Sequence, residues 1–83
     1  MNIQVRFAEP FWRVVGQRNL EMRMVSDSNV RGLLALLCKQ YPGISTEMAE
    51  STTLLFVNEE EVDMDTILEE GDQVHILWPI AGG

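Results

Sequence analysis

The chain ends Ala81-Gly82-Gly83, directly after the apolar stretch Val74-His75-Ile76-Leu77-Trp78-Pro79-Ile80. Glycine lacks a Cβ, so two in succession form a stalk slim enough for a channel that closes on backbone. The expectation is that the carboxylate of Gly83 is the reactive group, with Ala81 and Gly82 serving passage into a partner's site. The other side chains capable of chemistry stand alone. His75 has no second ligand or nucleophile in its pattern, and Cys38 is the single cysteine. Asp63-Met64-Asp65-Thr66 lacks the glycine and the terminal glutamate of a calcium loop, so it reads as polar turn chemistry. No metal site is expected.

The elements that would position this tail can be read from periodicity. Ile3, Val5 and Phe7 alternate with polar residues, the mark of a half-buried strand. Phe11 to Gly16 reads as a short turn or single helical turn, and Leu20, Met22 and Met24 form a returning strand, most simply antiparallel to the first. Ser26 to Asn29 are capping residues. Val30, Leu33, Leu34, Leu37, Cys38 and Tyr41 then fall on one helical stripe. Pro42-Gly43 is expected to stop that helix, leaving Gly43 to Ser51 as a long connection, with Cys38 as a small core residue.

Thr53 to Val57 is a third strand, and Asn58 to Glu61 a polar turn leading to a short return at Val62. Thr66 to Leu68 is expected as a single helical turn, and Glu69 to Asp72 as a tight turn. Gln73 to Trp78 is the last strand, with Val74 and Ile76 on one face and His75 and Leu77 on the other. Leu55 is expected to join His75 and Leu77. Pro79 ends the ladder because it has no N–H to donate. One amphipathic helix against one face of a mixed sheet is an α+β two-layer arrangement. Residues 1–83 are expected as one domain, with residues 79–83 as an exposed tail.

Apolar residues make up 46% of the chain, within the globular range. The formal charge of −7 argues against nucleic acid, whose phosphates need a basic face. Eight of the fourteen residues from Glu59 to Asp72 are acidic, which favours encounter with basic partners. No apolar run reaches membrane-spanning length and no secretion signal is visible, so a cytoplasmic location without membrane attachment is expected.

Across essentially its whole length the chain resembles the MoaD/ThiS-type ubiquitin-like sulfur carriers. The resemblance rests on Phe7-Ala8-Glu9, Gly16, Asn29-Val30 with Leu33 and Leu34, Tyr41-Pro42, Val57-Asn58, Leu68-Glu69-Glu70-Gly71-Asp72-Gln73-Val74 and the tail from Pro79 to Gly83. It implies a ubiquitin-like β-grasp fold with the first and last strands paired in parallel. It also implies a carrier that is not an enzyme by itself. An E1-like adenylating enzyme of the MoeB/ThiF type would use ATP to activate Gly83. Sulfur would then be held as a C-terminal thiocarboxylate, with no cofactor bound stably. Leu55, His75 and Leu77 would form the partner-binding patch.

The long segment from Glu9 to Arg18 is most like the molybdopterin synthase small subunit, whose large catalytic subunit would be the sulfur acceptor. The tail departs from that type at Trp78, which stands where a proline is usual. Thiamine, cysteine or tRNA thiolation, and protein modification through an isopeptide bond, therefore stay open, as does a plain interaction module.

Overall fold

A computed structural model describes residues 1–8, 11–50 and 54–77. Strand β1, Asn2–Phe7, buries Ile3, Val5 and Phe7 and leaves Gln4 and Arg6 exposed. Helix α1, Phe11–Val15, follows, with Phe11 fully buried. Strand β2, Asn19–Arg23, returns antiparallel to β1, with Ile3 opposite Met22 and Val5 opposite Leu20. Trp12, whose placement the sequence does not decide, packs half-buried against the core, with the Arg13 and Arg18 guanidinium carbons 5.6 and 5.0 Å from its ring centre.

Helix α2, Val30–Gln40, buries Val30, Leu33, Leu34 and Leu37, as the stripe requires. Asn29 caps it: its side-chain oxygen accepts the Gly32 N–H at 2.9 Å. Cys38 is partly buried against the core. The helix stops before Pro42-Gly43 as expected, but the long connection expected after it needs correction, because the chain leaves helical geometry for one residue only. Tyr41, disfavoured from helical angles by the proline after it, sits at φ −131°, ψ 82°. A second helix, α3, then runs over Pro42–Glu50. Proline opens a helix at no cost in hydrogen bonds, since the first-turn N–H groups have no intrahelical acceptor. Gly43 lies inside this helix. A Cβ there would meet Val14 Cγ1 at 2.7 Å, so the glycine permits close approach to α1.

Strand β3, Leu54–Val57, turns through Asn58 and Glu59 into the two-residue strand β4, Glu60–Glu61. The return therefore starts earlier than the expected Val62. Segment 66–68 is not the expected helical turn. The carbonyls of Met64 and Thr66 accept the Arg31 and Val30 N–H groups at 2.9 and 3.0 Å, and the Leu68 N–H donates to Ser28. The segment thereby satisfies donors at the α2 N-terminus that have no partner within the helix.

Strand β5, Gln73–Leu77, completes the sheet in the order β2-β1-β5-β3-β4. It is parallel to β1 and antiparallel to β3, at the sheet centre. α2 lies within the crossover that this parallel pairing demands. The architecture is the mixed-sheet β-grasp, as expected.

Candidate functional site

The site expected at Ala81, Gly82 and Gly83 lies outside the described residues, as does Trp78. The structure does describe the strand that leads to it. Because β5 runs parallel to β1, the chain leaves Leu77 at the same end of the sheet as Ala8, whose N–H donates to the Ile76 carbonyl at 3.0 Å. A strand held on both sides is a firm base for whatever follows it.

The entry to β5 is tied as tightly. Asn58 donates its backbone N–H to the Gln73 carbonyl and accepts the Gln73 N–H on its side-chain oxygen at 3.0 Å. Its amide nitrogen donates to Asp72 Oδ1 at 2.9 Å, while Asp72 Oδ2 accepts the Glu69 N–H at 2.8 Å. Gly71, at φ 82°, supplies the left-handed turn between them. Two fragments far apart in sequence, Val57-Asn58 and Gly71-Asp72-Gln73, thus form one clamp on the start of the strand.

The sheet face turned away from the helices carries His75 and Leu77, both half-buried. His75 stands level with Arg6 on β1 and Phe56 on β3, and Leu77 level with Leu54. Leu55 does not belong there. It pairs with Ile76, is 8% exposed and lies in the core, so the expected outward position is corrected. Leu54 and Phe56 take its place on the outer face. β3 reads Leu-Leu-Phe-Val with no polar residue to set its phase, so only the register with β5 reveals which side chains face out.

The His75 imidazole is held below its ordinary value of 6.5, first by burial and then by the Arg6 guanidinium beside it. It is therefore neutral at pH 7 and adds no charge to the face. Among the described residues no three His, Cys, Asp or Glu side chains are grouped to hold a metal ion. Asp63 accepts the Asp65 N–H and the Thr66 hydroxyl, forming the turn. Several of the acidic residues serve the fold in the same way: Glu70 accepts the Asn2 N–H at 3.0 Å, and Asp65 pairs with Arg31 at 2.9 Å. No helix among the described residues is long and apolar enough to cross a membrane.

Residues 5–83 match the ThiS family. Small archaeal modifier protein 3 of Haloferax volcanii is 32% identical over 92 aligned positions, with 100% of both chains covered. The fold superposes on SAMP1 of the same organism with a TM-score of 0.88 at 17% identity, again over 100% of each chain. It also matches a chain in the complex of subunits 1 and 2 of the molybdopterin-converting factor from Helicobacter pylori, with a TM-score of 0.72 at 24% identity and 100% of both chains covered. With the clamp, the central β5 and a family match that runs through the final diglycine, the chain belongs to the ThiS family of ubiquitin-like sulfur carriers.

Proposed function

We propose that the Gly83 carboxylate is the working group of this chain. An E1-like enzyme of the MoeB/ThiF type would adenylate it: a carboxylate oxygen bonds to the α-phosphorus of ATP and pyrophosphate leaves. Sulfide then attacks the carbonyl carbon, AMP leaves, and the tail ends in a thiocarboxylate. A free carboxylate is a poor electrophile and its mixed anhydride with AMP a good one, which is why activation precedes sulfur transfer. The observation that carries the reading is the family match reaching residue 83, on a tail that follows a clamped central strand.

The outer-face residues Leu54, Phe56, His75 and Leu77 would dock the partner beside the tail. The likeness to the Helicobacter pylori complex favours molybdopterin assembly as the pathway, with the large synthase subunit as sulfur acceptor. A second reading, isopeptide modification of protein lysines, is favoured by the 32% identity to an archaeal modifier protein.

The test is incubation with ATP, sulfide and an adenylating enzyme of this type, followed by intact-protein mass spectrometry. One oxygen-for-sulfur exchange localised to Gly83 is expected. A residue added after Gly83 should abolish it, because the new terminus overshoots the reacting site. Gly82→Val should impair it through bulk at the β-carbon. A mass gain equal to linkage with a lysine-bearing target, without sulfur uptake, would select the modifier reading. No gain at all, with function retained after deletion of both glycines, would overturn both.

A further inference from the structure

The outer sheet face has an apolar part, built from Leu54, Phe56 and Leu77, and beside it a polar part across β1 and β2. An open depression of about 210 Å³ lies in the polar part, lined by Gln4, Val5, Arg6, Asn19 and Gln73. The register accounts for this set. Arg6 is level with Asn19 and His75, and Gln4 with Glu21 and Gln73. Val5 is buried on the opposite face, so only its backbone reaches the depression.

Among the lining side chains Arg6 alone is charged, and the amides of Gln4, Asn19 and Gln73 carry both donors and acceptors. Arg6 offers a planar fork of N–H groups that matches a carboxylate in two-point contact. The Asn19 and Gln73 amides are exposed around it. Gln4 is already engaged, its amide nitrogen donating to Glu21 Oε2 at 2.9 Å. Arg6 itself makes no ion pair with any described carboxylate, although the chain has 13 acidic residues against 6 basic ones. A guanidinium with no described carboxylate partner, in a concave site beside the apolar docking residues, offers a place for a negative group from outside.

We propose that this depression receives an aspartate or glutamate side chain of the protein that takes up the tail, with Arg6 as its principal donor. The proposal deepens the docking role assigned above and rests on it. Charge complementarity selects the occupant. A polyanion such as nucleic acid would meet the repulsion of a chain carrying −7, whereas one carboxylate flanked by apolar contacts needs only the local cation. Arg6 therefore supplies specificity and register at close range, while the net charge governs approach.

Adenylation kinetics test it, with a MoeB/ThiF-type enzyme, ATP and pyrophosphate exchange as readout. Arg6→Gln should raise KM for this chain roughly 10- to 100-fold, the range for loss of a charge-assisted hydrogen bond, with kcat unchanged. Arg6→Glu should be worse still, and should be rescued by exchanging one partner carboxylate for lysine. Arg6→Lys should restore only part of the affinity, since the two-point contact is lost. Leu77→Asp is the control for the docking face itself. If Leu77→Asp raises KM and Arg6→Gln does not, the carboxylate subsite is overturned and the docking role stands. If neither variant changes KM, both are overturned. Circular dichroism melts matching the parent establish that each variant is folded.

Discussion

His75 and Arg6 face each other across β1 and β5, and their coupling can be measured. Burial and the Arg6 charge both disfavour the imidazolium, so the folded-state value lies below the 6.5 of the unfolded chain. The unfolded chain then binds more protons between those two values. His75 thus contributes stability that is present above pH 6.5 and lost as pH falls toward the folded value. The loss is small, because the ring is only partly removed from water. A proton NMR titration of the imidazole should give a midpoint below the ordinary one. Arg6→Gln should move it upward but not to 6.5, since burial remains. An unmoved midpoint would mean that the guanidinium does not act on the ring. The alternation Val74-His75-Ile76-Leu77 is legible in the sequence because the polar His75 sets its phase, leaving Val74 and Ile76 to the buried face. Leu54 and Phe56 are not, because every residue of β3 is apolar.

At the scale of elements, local signals succeed where one residue's backbone chemistry decides the outcome. Asn29 starts α2 by capping it, and Tyr41 before Pro42 ends it. They fail where a remote partner competes for the same hydrogen bonds. Segment 66–68 has helical composition, yet its backbone groups bond to Ser28 and Val30. The hairpin between β3 and β4 shows a residual conflict. Asn58 and Glu59 have φ values of 50° and 72°, the two left-handed positions of a type I′ turn. Asparagine tolerates this and glutamate does not. Glu59→Gly should therefore stabilise the protein by about 1 kcal/mol, the size of the left-handed strain relieved. Urea unfolding should show a higher midpoint with an unchanged slope. An equal or lower midpoint would mean that the Glu59 side chain repays its strain by a contact.

The whole molecule carries its negative charge mainly on the segment 59–72, which joins β4 to β5 around the clamp. Clustered exposed charges of one sign act through their long-range field on approach to a partner. The association rate with a basic partner should fall steeply as salt rises from low concentration through about 0.15 M, where the screening length is roughly 8 Å. Stopped-flow fluorescence would record it, and a rate independent of salt would remove the steering role.

Legible in the sequence were the types of the first three strands, of the main helix and of the last strand, and the family to which its spaced motifs belong. Those follow from periodicity, capping and turn residues, all local properties of the chain. Only the register and the contacts between segments show that Asn58 clamps Asp72 and Gln73, and that Leu55 is core while Leu54 and Phe56 face outward. They also place Arg6, Asn19 and Gln73 around one depression. Each of these depends on the register between strands or on a contact between segments distant in sequence. No local pattern encodes such a choice, because side-chain facing inverts with a shift of a single residue.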